Sequence, residues 1–205
     1  MEKIKKLKEI FHDYKIDGYL IPKNDEFFSE YTSEEEDKLK FLTSFSGSYG
    51  FALILKKINY LFVDGRYTLQ ANIQSGKKFK IITIPNKIPS DLLKGKKIKI
   101  GFDPKLYTYQ VLRRYFKKTN CKLIPINQNL IDKIWLKKKK KLKGKFFNLK
   151  DFDTGQSSTT KINILSKLIK KKKIDMHFVS APENIAWLLN LRGCDSEFSP
   201  VPNGY

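Results

Sequence analysis

Three aspartates stand where an α/β sheet places reactive groups. Asp17, Asp64 and Asp103 each flank a run that reads as a β-strand. Carboxylates at strand ends can share divalent ions, and in a basic chain that arrangement would suit a metal-dependent nuclease. The same residues also form turns. Asp17-Gly18, Asp64-Gly65 and Asp103-Pro104 are turn dipeptides, so local chemistry accounts for all three without a ligand. The nuclease reading is a distant one.

Other chemistry-bearing types are equally spare. His12 and His177 are the only histidines, too far apart in sequence and too few to suggest a base–nucleophile pair or an H-E-x-x-H ligand set. His12 falls on the polar side of a first helix and His177 within a strand, so both read as structural. Gly47-Ser48-Tyr49-Gly50 is glycine-rich but runs into a strand. A phosphate cradle needs a helix N-terminus there, so these glycines read as a tight backbone crossing. Arg113 to Lys118 mixes bases with aromatics as single-strand binders do. At helical spacing Tyr115 and Phe116 fall with Val111 and Leu112, which reads as core. No catalytic constellation emerges, and no residue qualifies as catalytic, cofactor-binding or metal-ligating.

The elements explain what these residues do instead. Residues 2–14 read as an amphipathic helix with Ile4, Leu7, Phe11 and Tyr14 on one face. Strands are expected at 19–21, 51–55, 60–63, 79–84, 97–102 and 122–126. Helices are expected over 66–74 and after Thr108, with another opening at Glu34–Glu36 behind a Thr32 or Ser33 cap, and Asn129–Leu136 leads into the lysine run. Strands alternating with helices, several carrying consecutive apolar residues, indicate an α/β domain with a covered sheet. A 51–63 hairpin makes that sheet mixed.

A phrase then recurs. Lys15-Ile16-Asp17 returns as Lys173-Ile174-Asp175, and Phe41 to Gly47 is answered by Trp187 to Gly193. The sequence therefore reads as one domain over 1–136, a lysine-rich linker over 137–154, and over 155–205 the incomplete start of a second, similar domain. Five consecutive lysines from Lys137 repel one another and mark the boundary. Proteolysis is expected to cut first between Lys137 and Lys150. The second unit is expected to hold helices over 158–170 and 182–189 and a strand over 175–179. It should expose apolar helix faces for want of a complete sheet.

Composition bounds the class. With 40% hydrophobic and 13% aromatic residues, disorder is excluded as the main state. No apolar run of about 18 residues is present, so no membrane span is expected. Cys121 and Cys194 are isolated thiols, as in a reduced cytoplasm. The net charge of +20 is nearly all lysine; only Arg66, Arg113, Arg114 and Arg192 are arginines. Lysine lacks the planar fork that reads bases. Compositional bias is therefore the favoured source of the charge, with no specific nucleic-acid partner.

Read together, the motifs resemble one family. They are Ser29-Glu30-Tyr31, Phe41 to Gly50, Val63 to Ala71, Gly101 to Pro104 and Leu123 to Trp135, then Thr154-Gly155, Ile185 to Gly193, Asp195, Pro200 and Val201. In this order they are similar to the N-terminal part of cytosolic three-domain Xaa-Pro aminopeptidases, of the creatinase/prolidase metallopeptidases. The resemblance implies two related N-terminal α/β domains with a ribonuclease-H-like motif ahead of a catalytic domain. It implies a cytoplasmic parent hydrolase, homodimeric, that uses two divalent ions, commonly manganese, to release the residue preceding proline from short peptides. The family's metal ligands lie in the catalytic domain, which is absent from this sequence, so no cofactor is expected here. Trp187 and Arg192 fall in a segment that in related enzymes approaches an active site. Substrate contact is set against packing for both, with packing favoured. A truncated scaffold or binding module without activity is the alternative.

Overall fold

The computed structural model describes residues 2–29, 31–136, 144–196 and 198–204. They fall into two compact units, Met1–Glu26 with Glu34–Lys139, and Phe27–Ser33 with Lys140–Tyr205.

The first unit is built on a six-stranded mixed sheet. Its strands are β1 (Gly18–Pro22), β2 (Gly50–Leu55), β3 (Asn59–Asp64), β4 (Lys80–Ile84), β5 (Lys99–Phe102) and β6 (Lys122–Pro125), in spatial order β4-β3-β2-β1-β5-β6. β2 runs antiparallel to both β1 and β3, and the remaining pairs are parallel. β1 and β2 are buried along their whole length, because helices cover both faces. Alternate residues go to opposite sides. Tyr19, Ile21, Ala52, Ile54, Leu61 and Val63 meet α1 (Glu2–Ile10), α2 (Lys38–Thr43), α3 (Thr68–Ser75) and α6 (Leu130–Ile134). Leu20, Phe51, Leu53, Tyr60 and Phe62 meet α4 (Pro89–Leu93) and α5 (Tyr109–Phe116). Tyr115 stacks on Phe51 at 4.5 Å between ring centroids, so the Arg113–Lys118 segment does turn its aromatics inward.

Local signals set most boundaries. Thr108 caps α5, its hydroxyl accepting from the Val111 N–H at 3.3 Å. At Gly47 an added Cβ would lie 2.2 Å from the Phe45 ring, and at Gly50 2.8 Å from the Phe62 carbonyl oxygen. The crossing before β2 therefore requires glycine at both positions. One expectation is corrected: Glu34–Glu36 form a turn, and α2 starts at Lys38. Its cap is Asp37, whose carboxylate accepts from the Lys40 N–H at 2.9 Å and pairs with Lys23. The glutamates instead bind lysines, Glu36 with Lys38 and Glu34 with Lys40.

The second unit contains β7 (Phe146–Asn148), α7 (Asp151–Thr154), α8 (Ser158–Lys171), α9 (Pro182–Leu189) and β8 (Leu191–Gly193). β7 and β8 pair antiparallel, Phe146 opposite Gly193 and Asn148 opposite Leu191. Within the span read as a linker, residues 137–143 lie outside the described residues, and β7 and α7 form in the remainder. The expected strand at 175–179 is absent, and His177 is not in a strand. Among the described residues these have no ladder partner, and Met176 and Phe178 are exposed. A strand exists only when its backbone groups are paired.

The internal repeat is reproduced in backbone geometry. Lys15 and Lys173 both adopt left-handed φ, 51° and 55°. Ile16 N–H reaches the Phe11 carbonyl and Ile174 N–H the Ile169 carbonyl, each at 3.1 Å. Ser44 and Asn190, at the ends of α2 and α9, are left-handed too, at 68° and 54°. The repeated phrases are helix terminators of the same design.

Candidate functional site

The strand-end aspartates serve the fold. Asp64 ends β3 and accepts from the Arg66 N–H at 2.9 Å and from Arg66 Nη2 at 2.7 Å. The guanidinium lies 5.2 Å from the Tyr67 ring, and its hydrogen bonds hold the Asp64 carboxyl below the usual range. Arg66 thus anchors its own turn. Asp17 brackets β1. Its N–H donates to the Lys99 carbonyl at 2.7 Å, and its carbonyl accepts from the Lys56 N–H at 3.2 Å. Its carboxylate takes Lys56 Nζ at 2.6 Å and the Lys99 N–H at 2.9 Å. Those bonds, Lys56 first, lower its pKa. Buried Asp103 accepts from Asn129 Nδ2 at 2.9 Å and the Lys105 N–H at 3.0 Å.

These carboxylates do not converge. Among the described residues no three His, Cys, Asp or Glu side chains stand together as metal ligands, so those residues do not fit a two-metal centre. His12 is exposed, as its place on the polar side of the first helix predicts, with Nδ1 3.8 Å from the Asp13 carboxylate. His177, expected within a strand, lies outside any strand and is exposed as well. Both cysteines are free thiols, and burial raises the Cys121 pKa.

In the second unit, Trp187 and Arg192 flank the end of α9. Arg192 Nη1 donates to the Leu191 carbonyl at 2.7 Å and the Ala186 carbonyl at 3.3 Å. It occupies the carbonyl end of the helix, where a cation is favoured. Trp187 is 59% exposed. Sequence reasoning missed the residue beneath it. Lys161 of α8 is buried, and its Nζ donates to the Trp187 carbonyl at 2.8 Å and to Asn190 Oδ1 at 2.6 Å. The same ammonium lies 4.4 Å from the Trp187 ring centroid. The signal was the repeat itself, since Lys3 stands in the same place in the first unit. Its Nζ donates to the Phe41 carbonyl at 2.9 Å and lies 4.1 Å from the Phe41 ring.

The second unit also holds a cleft of about 370 Å³. It is lined among others by Ser29, Tyr31, Pro182, Glu183, Val201 and Asn203, and Ser29 Oγ donates to Asn203 Oδ1 at 3.0 Å. Sequence motifs far apart in the chain meet here. Among the described residues Glu183 is the one carboxylate on its wall, and Trp187 and Arg192 do not line it. Beside Glu183 the described lining carries the hydroxyls of Ser29, Ser196 and Ser199, polar groups suited to binding.

Comparison with known proteins places this geometry. Residues 3–134 and residues 136–205 each match a model described as the creatinase/prolidase N-terminal domain. The Xaa-Pro aminopeptidase ApepP of Drosophila melanogaster is 32% identical over 91% of the chain and 32% of its own length. Xaa-Pro aminopeptidase 1 of Dictyostelium discoideum is 32% identical over 98% of the chain and 35% of its own length. A crystal structure of the X-prolyl aminopeptidase of Caenorhabditis elegans, described as a cytosolic enzyme with a di-nuclear active site, superposes with a TM-score of 0.87. It is 29% identical over 98% of this chain and 36% of that one. The chain spans about a third of the length of these relatives.

Proposed function

Since the chain belongs to the creatinase/prolidase N-terminal domain family and is homologous to the N-terminal part of Xaa-Pro aminopeptidases, we propose that it is the non-catalytic front of such an enzyme. The observation that carries this reading is the extent of the match, nearly all of this chain against only about a third of each relative. The parent protein removes the N-terminal residue from short peptides with proline in second position. Proline matters because its imide has no N–H and its ring constrains the backbone. Two divalent ions, manganese in the first instance, supply an activated water and polarise the scissile carbonyl when bound. Their ligands belong to the catalytic domain of the parent; the strand-end aspartates Asp17, Asp64 and Asp103 are taken up here by lysine, arginine and asparagine donors.

In this reading residues 1–136 form a complete domain, residues 137–154 its lysine-rich boundary and residues 155–205 the start of a second domain. Both units frame the catalytic cleft and restrict it to small peptides. Trp187 and Arg192 act in packing between domains and not on substrate. Arg192 spends donors on helix carbonyls, and the Trp187 carbonyl is held by Lys161. The parent is cytoplasmic and homodimeric.

An aminopeptidase assay on an Xaa-Pro peptide with added manganese tests the proposal. The 205-residue chain is compared with a chain extended through the downstream reading frame. Activity only in the extended chain is the expected result. Activity in neither favours a binding module or scaffold, and activity in the short chain overturns the reading.

A further inference from the structure

The cleft of the second unit differs in charge from the chain that forms it. Lysine and arginine make up 41 of the 205 residues, yet among the described residues none of them lines the cleft. Its acid, Glu183, is exposed in the first turn of α9, and among the described residues no cation or hydrogen-bond donor is paired with it. Asp17, Asp37 and Asp64 each hold a lysine or an arginine instead. The carboxylate on the cleft wall is therefore open to a cation that the protein itself does not supply.

The neighbouring groups suit the same kind of ligand. Ser29 Oγ spends its proton on Asn203 Oδ1 at 3.0 Å, so toward a ligand this hydroxyl can only accept. Ser196 Oγ accepts from the Phe198 N–H and Ser199 Oγ from the Val201 N–H, each at 3.3 Å, which holds both hydroxyls in place. Two aromatic residues stand on the wall, and ring faces attract cations. Tyr31 packs against Phe198 with ring centroids 5.5 Å apart. Phe28 is exposed and holds a left-handed φ of 55°. For a bulky residue that conformation is strained, and such strain gathers at ligand clamps. At about 370 Å³ the cleft falls at the small end of ligand sites. It has room for one side chain or a small amine, not for a long peptide.

We propose that this cleft binds a primary ammonium group carried on an apolar carbon stem, from a lysine of another polypeptide or from a free alkylamine. Glu183 supplies the counter-charge. The serine hydroxyls and Asn203 Oδ1 accept the remaining N–H bonds, and Tyr31, Pro182 and Val201 cover the stem. An anion would find no positive side chain on the described wall, and an uncharged ligand would leave Glu183 without a partner. The inference stands apart from the proposed function, since it needs neither a metal nor a scissile bond. Failure of either leaves the other intact.

Backbone amide NMR of the 205-residue chain tests it with three probes. They are Nα-acetyl-lysine N-methylamide, pentylamine and, as the uncharged control, Nα,Nε-diacetyl-lysine N-methylamide. The two ammonium probes should give saturable shifts at residues 183, 184, 199, 201 and 203. The control should bind at least ~10-fold more weakly. Glu183→Gln alters an exposed side chain, so the amide spectrum should stay that of the folded chain. That variant should weaken both ammonium probes by about 10-fold. Tyr31→Leu keeps an apolar wall without the ring face and should weaken them by about 3-fold. Tighter binding of the lysine probe assigns the cleft to a polypeptide lysine, and tighter binding of pentylamine assigns it to free amines; both support the proposal. Equal binding of the diacetylated control overturns it, as do unchanged affinity in Glu183→Gln and shifts that never saturate.

Discussion

Asp17 shows how a residue that looks catalytic can be committed to architecture. Its carboxylate pKa is lowered by the Lys56 hydrogen bond first and the Lys99 amide second. A group depressed in the folded state contributes stability above its unfolded value, near the ordinary 3.8, and loses it as pH falls through the folded value. Asp17→Asn should therefore destabilise by about 1 kcal/mol at neutral pH, discounted for partial exposure. The gap to wild type should close as pH drops below 4. Urea midpoints measured from pH 6 down to pH 2.5 check this, and a gap independent of pH would contradict it. The paired lysines give a second comparison. Lys161 is buried and Lys3 exposed, yet both hold the carbonyl and ring of an aromatic residue. Lys161→Met should cost about 2 kcal/mol, because it strips buried partners, and Lys3→Met under ~1 kcal/mol. Opening of α9 and α2 amides in hydrogen exchange separates the two effects.

At the scale of elements, caps and close approaches set the boundaries. Thr108→Ala removes the acceptor for the Val111 N–H and should lower stability by about 1 kcal/mol. Gly50→Ala should cost more, about 2–3 kcal/mol, because its Cβ would meet the rigid Phe62 carbonyl at 2.8 Å across the β2–β3 ladder. Thermal melts of both variants check the order, and equal losses would contradict the steric argument. The start of α2 shows the limit of a cap rule applied to sequence alone. Thr32 or Ser33 before three glutamates is a good helix opening. Asp37, pinned by Lys23, won because the lysine sits on a chain segment far back in sequence. β7 and β8 were likewise illegible. Each is three residues long, and they stabilise one another across the 146–193 separation. Residues 175–179 make the converse point. They carry a strand's composition and, among the described residues, no ladder, since pairing is a property of two segments.

For the whole molecule, the lysine excess predicts weak, non-specific retention on nucleic acid. That retention should disappear between about 50 and 200 mM salt. Retention that survives higher salt in an electrophoretic mobility assay would instead indicate a built site. Limited trypsin digestion should cut first between Lys137 and Lys150, a span whose first seven residues lie outside those described. A resistant core containing residues 1–135 should remain. The sequence by itself determined the α/β class, the covered mixed sheet, the tandem repeat and the family resemblance. All of these follow from periodicity, turn dipeptides and ordered motifs, which are local or additive along the chain. Only the tertiary structure decided that the strand-end aspartates are held by lysine, arginine and asparagine. It alone found Lys161 beneath Trp187 and left residues 175–180 without a ladder partner among the described residues. A carboxylate's role depends on which donors folding brings within 3 Å, and a strand's existence depends on a partner that may lie anywhere along the polypeptide.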